Sequence, residues 1–142
     1  MRANELRDLA RRAANLTGYR QILVLGSQAV HGALPETDLP AITTMSEEAD
    51  LAVVGDVSGE TPHVIEAAFG MGSPYHQSFG VYADGIALSE VALPEGWEGR
   101  VHTQQIDDGA DVENPVTLLF PEIHDLCLEA DGGRDRWVRT SL

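Results

Sequence analysis

Lysine is absent from this chain of 142 residues: all nine of its basic residues are arginines. A phosphate-binding loop of the G-x-x-x-x-G-K-[ST] type is therefore excluded, and Gly26-Ser-Gln-Ala-Val-His-Gly32 does not fit the G-x-G-x-x-G dinucleotide fingerprint either. Cysteine is nearly absent. Cys127 alone rules out an intramolecular disulfide and a thiolate zinc site, and it suits a reducing cytoplasm. The five histidines show no H-x-x-x-H spacing and no G-x-S-x-G is present, which removes the zinc-protease and serine-hydrolase classes. No apolar run approaches the roughly 20 residues that span a bilayer, and the first 16 residues lack the apolar stretch of a secretion signal. The expectation is a cytoplasmic protein with no membrane partner.

Positive charge is also missing where it would matter most. Between Arg20 and Arg100 there is no lysine or arginine, and the whole chain carries 23 acidic residues and a net charge of −14. Duplex DNA, which is held through several cationic contacts to phosphate, is disfavoured as a partner. A single-stranded RNA end is left only the arginines of the first helix or of the tail. The same acidity is compatible with divalent cations.

What is present describes one domain spanning residues 1–142, with 43% hydrophobic residues and no repeat or linker. Ala3, Leu6, Leu9, Ala10, Ala13 and Leu16 form one stripe at helical spacing, predicting an amphipathic helix over residues 1–18 that stops at Gly18. Gln21–Leu25 is a short apolar run and predicts a strand buried on both faces. Ser27–Leu34 reads as a short helix and 35–40 as a loop. In Glu48–Val54 a period of two puts Glu48 and Asp50 on one strand face and Ala49 and Leu51 on the other. Thr61-Pro62 opens a further helix. Ser73-Pro-Tyr-His-Gln77 reads as a loop, and strands are expected at 79–83, 86–93, 100–106 and 116–120, with a turn at Asp107-Asp108-Gly109. A last helix over 121–130, carrying Cys127 on its apolar face, and a polar tail over 133–142 complete the chain. Helices alternating with strands predict an α/β or α+β fold, a mixed sheet flanked by helices.

The chemistry concentrates where the first strand runs into Gly26-Ser27 and the next opens with Glu48-x-Asp50. Amides at a helix start attract phosphate, and glycine lets the backbone approach it. Two carboxylates two residues apart on a strand can share a magnesium ion. Together they describe a site for a magnesium nucleotide.

On these residues the chain resembles the nucleotidyltransferase superfamily. Leu25-Gly-Ser-Gln-Ala-Val-His-Gly32, Ser46-Glu-Glu-Ala-Asp50, Gly72-Ser-Pro-Tyr-His-Gln-Ser-Phe-Gly-Val-Tyr-Ala-Asp-Gly85, Leu93-Pro-Glu-Gly-Trp97 and Ile123-His-Asp-Leu126 look like a family of small bacterial nucleotidyltransferase-like proteins. Those are similar to the AbiEii-type toxins of abortive-infection and toxin-antitoxin systems. The resemblance implies a nucleotidyltransferase-like fold with Gly26, Ser27 and Gln28 on the phosphates. It places Glu48 and Asp50 on Mg2+ as catalytic and metal residues, and Tyr75, His76 and Tyr82 along the substrate pocket. Glu48 stands where the family has aspartate, Glu90 is the expected third carboxylate, and Arg134 and Arg136 replace the family's basic C-terminal motif. The implied activity moves a nucleotidyl group from a nucleoside triphosphate to an RNA end or a protein hydroxyl. The alternative is a catalytically inactive nucleotidyltransferase fold that acts through a protein partner, a cognate toxin or antitoxin.

Overall fold

A computed structural model describes residues 1–106, 114–122 and 125. Five strands form one mixed sheet in the order β3-β2-β1-β5-β4: β1 Gln21–Leu25, β2 Glu48–Val53, β3 Tyr82–Ile86, β4 His102–Ile106 and β5 Val116–Phe120. β1 lies antiparallel to β2 and parallel to β5, β2 is parallel to β3, and β4 closes antiparallel on β5. The helices are α1 Ala3–Thr17, α2 Ala41–Met45, α3 Thr61–Phe69 and α4 Pro74–Phe79, joined by short 3-10 turns, the longest over Gly26–Gly32. The mixed α+β sheet domain expected from the sequence is observed. Among the described residues no helix is long and apolar enough to cross a membrane.

Strand alternation divides the interior in two. Ile22, Val24, Ala49, Leu51, Val53, Ala83, Val116, Leu118 and Phe120 point to one face, where Leu6, Leu9, Ala10 and Ala13 of α1 and Ile65 and Phe69 of α3 cover them. Leu23, Leu25 and Ala52 point to the other, flanked in the sheet by Ile86 and Leu119 and packed against Leu88, Val91, Leu93 and Trp97. β1 is indeed buried on both sides, with Ile22 to Leu25 all at 0% exposure.

α1 occupies the expected stripe. Glu5 accepts from the Arg2 amide at 2.8 Å, and Glu36 accepts from that of Ala3 at 2.7 Å, so two amides at the start of α1 have acidic acceptors. The start of α3 is capped from outside. Asp56 Oδ2 accepts from both the amide and the hydroxyl of Thr61, at 3.0 and 2.6 Å, while Ser58 binds Oδ1. These donors hold the Asp56 carboxyl far below the usual carboxylate range, the Ser58 hydroxyl contributing most.

Three segments differ from the sequence expectation. Residues 73–77 are not a loop: Ser73 Oγ accepts from the His76 amide at 3.2 Å and Pro74 opens α4, which runs to Phe79. The strands expected at 79–83 and 86–93 are one strand, β3, between α4 and a 3-10 turn at Leu88–Glu90. The loop expected at 35–40 holds a 3-10 turn, Glu36–Asp38, and leads into α2, where the sequence pattern predicts no helix. Gly85 explains the misreading of β3. Its place is fixed by the close approach of α3, since a Cβ there would sit 2.2 Å from the Pro62 carbonyl oxygen, and not by a turn. The expected turn at 107–109, most of the helix over 121–130 with Cys127, and the tail with Arg134, Arg136 and Trp137 lie outside the described residues.

Candidate metal and nucleotide site

The end of β1 is where the sheet brings its acids together. Leu25 pairs with Asp50 across the antiparallel β1-β2 ladder, and Asp50 pairs with Asp84 across the parallel β2-β3 ladder. Glu48, two residues before Asp50, pairs with Tyr82, two residues before Asp84, so all four side chains share one face. One carboxylate oxygen from each of Glu48, Asp50 and Asp84 falls within 4.8 Å of the others. Asp50 is buried at 7% exposure, and its two companions are half-buried.

Gly26 completes this arrangement. Its φ of 69° lies in the left-handed region, and a Cβ at that position would stand 2.4 Å from Asp50 Oδ2. Only a bare backbone fits between β1 and the carboxylate. Ser27, partly exposed, follows directly.

The donor set suits a hard divalent cation. Magnesium takes oxygens at about 2.0–2.1 Å, so two of its ligands lie at most about 4.2 Å apart, and small rotations of the three side chains close the spacing. Mutual repulsion of three carboxylates favours any cation that enters.

Tyr82 touches the cluster through Glu48, and His76 packs beside Tyr82. The Tyr82 hydroxyl donates to Glu48 Oε2 at 3.2 Å, and burial together with Glu48 and Asp84 pushes the phenol up to about 12, so it stays a donor at neutral pH. The His76 ring lies 4.7 Å from that of Tyr82. Its Nδ1 accepts from the Gly72 amide at 3.0 Å, which leaves the proton on Nε2, 3.5 Å from Glu47 Oε1.

Three expected site residues lie elsewhere. Tyr75 belongs to the apolar core under α1: it packs against Phe69 and Phe79 and its hydroxyl donates to Asp8 Oδ2 at 3.0 Å, on the sheet face opposite the carboxylates. As an aromatic on α4, it turns with the helix toward the core, which a loop assignment hid. Glu90 is exposed at the end of the 3-10 turn after β3 and does not join the acidic group. The third carboxylate of the cluster is Asp84. The sequence held a usable signal for it, because Tyr82-x-Asp84 repeats the Glu48-x-Asp50 spacing with Val81 and Ala83 on the opposite face. Gln28 is fully buried, and its side-chain amide donates inward to the Thr43 carbonyl oxygen at 3.0 Å, so the side chain does not face a phosphate.

The first-helix arginines offered for an RNA end are partly committed. Arg11 and Arg12 both pair with Asp8, and the Arg12 guanidinium lies 5.0 Å from the Phe79 ring centre. Asp125, of the Ile123-His-Asp-Leu126 motif, is buried and takes a forked ion pair from Arg100, with Nη2 2.9 Å from Oδ1 and Nε 3.0 Å from Oδ2. No family model matches the chain, and no curated protein or solved structure matches it.

Proposed function

We propose that this chain is a divalent-cation-dependent nucleotidyltransferase, acting in the cytoplasm on a nucleoside triphosphate and an RNA or protein hydroxyl. The observation that carries the reading is the convergence of Glu48, Asp50 and Asp84 on the one strand face that abuts the bare backbone of Gly26. Each residue then has a task. Ser27 and the amides at the start of the 3-10 turn receive the terminal phosphates. Glu48, Asp50 and Asp84 hold the cation, and Tyr82 fixes the orientation of Glu48. A bound magnesium ion would neutralise charge on the triphosphate and favour ionisation of the attacking hydroxyl. That hydroxyl oxygen forms a bond to the α-phosphorus, the bond from the α-phosphorus to the bridging oxygen breaks, pyrophosphate leaves and the proton passes to solvent. Positioning supplies most of the rate.

The resemblance to AbiEii-type toxins supports a setting with a cognate toxin or antitoxin. Incubation with each α-labelled triphosphate and magnesium, with cell RNA and cell protein as acceptors, tests the reading. Label should enter one of the two pools and be lost with Asp84→Asn. Label in neither pool would overturn the reading and leave a nucleotidyltransferase-like fold that works through a partner.

A further inference from the structure

We propose that a buried relay, His31 to Gln28 to Ser27, turns the Ser27 hydroxyl outward as a hydrogen-bond donor to phosphate; the assignment rests on the nucleotidyltransferase reading of this site. His31 Nε2 faces two oxygens, the Met1 carbonyl at 3.1 Å and Gln28 Oε1 at 3.0 Å. The carbonyl can only accept, so Nε2 carries a proton and Gln28 presents its oxygen to it. The Gln28 amide nitrogen is thereby directed the other way, donating to the Thr43 carbonyl at 3.0 Å and to Ser27 Oγ at 3.4 Å. Thr43 in turn donates its hydroxyl to the Ser27 carbonyl at 3.3 Å. His31, Gln28 and Thr43 are buried, at 7%, 0% and 2% exposure, whereas Ser27 reaches the surface.

The consequence is a fixed polarity. Because the Ser27 oxygen receives a proton from behind, its own proton is left for an acceptor in front, and a phosphate oxygen is such an acceptor. A serine without this support could point its hydrogen inward and present a lone pair to the phosphate, which repels it. Gln28, His31 and Thr43 are therefore positioning residues for the phosphate contact, and Gln28 is the one whose removal isolates the effect. Without its amide, Thr43 O still accepts from the Met1 ammonium and His31 Nε2 still donates to Met1 O, so Gln28→Met leaves neither buried group orphaned.

Calorimetric titration of wild type, Ser27→Ala, Gln28→Met and the double variant tests the assignment, with magnesium and each ribonucleoside triphosphate as one probe and Mn2+ alone as the other. Each single variant should weaken triphosphate binding about tenfold, equivalent to about 1.4 kcal/mol. The double variant should be no weaker than Ser27→Ala, and Mn2+ affinity should be the same in all four proteins. Additive losses, or equal losses for Mn2+, would overturn the relay while leaving the functional reading in place. Failure of wild type to bind any triphosphate would overturn that reading and the phosphate role with it. Nitrogen NMR of the His31 ring in the ligand-free protein supplies an independent check: a proton on Nε2 is expected, and one on Nδ1 alone contradicts the relay.

Discussion

The two faces of the sheet are built from the same strands, yet they are finished differently. The face under α1 and α3 is apolar along its length, from Leu118 on β5 through Ile22 and Val24 to Leu51 and Ala83. The opposite face is apolar at its centre, with Leu23, Leu25 and Ala52, and turns acidic at the Leu25 end, where Glu48, Asp50 and Asp84 converge. Among the described residues its cover is the segment containing Leu88, Val91, Leu93 and Trp97, itself only half-buried. Period-two alternation lets one strand put Leu51 into the core and Asp50 into the site. The apolar core and the acidic cluster thus lie on opposite faces of the same strands, and substitutions on the two sides should behave differently.

The largest contrast is expected from truncation of apolar side chains. Leu51→Ala, at 0% exposure under α1 and α3, should cost about 2–5 kcal/mol of stability in urea unfolding, whereas Leu93→Ala on the half-buried cover should cost about 1 kcal/mol or less. Equal losses would erase the distinction between the faces.

Next in size are the two glycines that admit close approaches. Gly85→Ala drives a methyl group against the Pro62 carbonyl and Gly26→Ala drives one against Asp50, each for about 1–3 kcal/mol. They should part company in binding: Gly26→Ala should abolish triphosphate binding, and Gly85→Ala should retain it at temperatures where it is folded. Retained binding in Gly26→Ala would detach the backbone of Gly26 from the site.

Smaller effects should appear on acidification, and their signs follow from which state binds protons. Burial pushes His31 below its ordinary value of about 6.5; the Met1 ammonium and Arg7 act in the same direction, while Glu36 and the bond to the Met1 carbonyl oppose. The unfolded chain therefore takes up this proton first, and stability should start to fall as the pH drops through about 6.5 and go on falling until the folded form protonates. Asp56 is also depressed, so its contribution is complete above about 3.9 and is lost as the pH falls further. Melting temperatures between pH 7 and 5 should decline less in His31→Gln than in wild type, and Asp56→Asn should lower the melting temperature at neutral pH while flattening the decline below pH 4. A neutral-to-acid decline unchanged in His31→Gln would contradict its buried neutral state.

Local patterns were legible in the sequence, and the partnerships between distant segments were not. α1, β1 and β2 follow from stripes and alternation within one segment, and Gly26, Glu48 and Asp50, which the structure brings together, lie at or near the ends of those segments. β3 was split because Asp84-Gly85 looks like a break, whereas the glycine answers to Pro62, more than twenty residues earlier in the chain. With β3 split, Asp84 lost its face and Glu90 took its place. Tyr75 and Gln28 failed for a related reason: an aromatic next to a proline and an amide next to a serine look available until Asp8 and Thr43, remote in sequence, claim them.

Melting curves with magnesium and each ribonucleoside triphosphate decide whether Asp84, paired with Asp50 across the sheet, belongs to a cation site for a nucleotide. A ligand at 100 times its dissociation constant adds about 2.7 kcal/mol, enough to raise the melting temperature by roughly 5–10 °C. Wild type and Glu90→Ala should both show this rise with at least one triphosphate, while Asp50→Ala and Asp84→Ala should show none. Identical curves with and without ligand in all four proteins, or a rise lost in Glu90→Ala and kept in Asp84→Ala, would remove Asp84 from any such site.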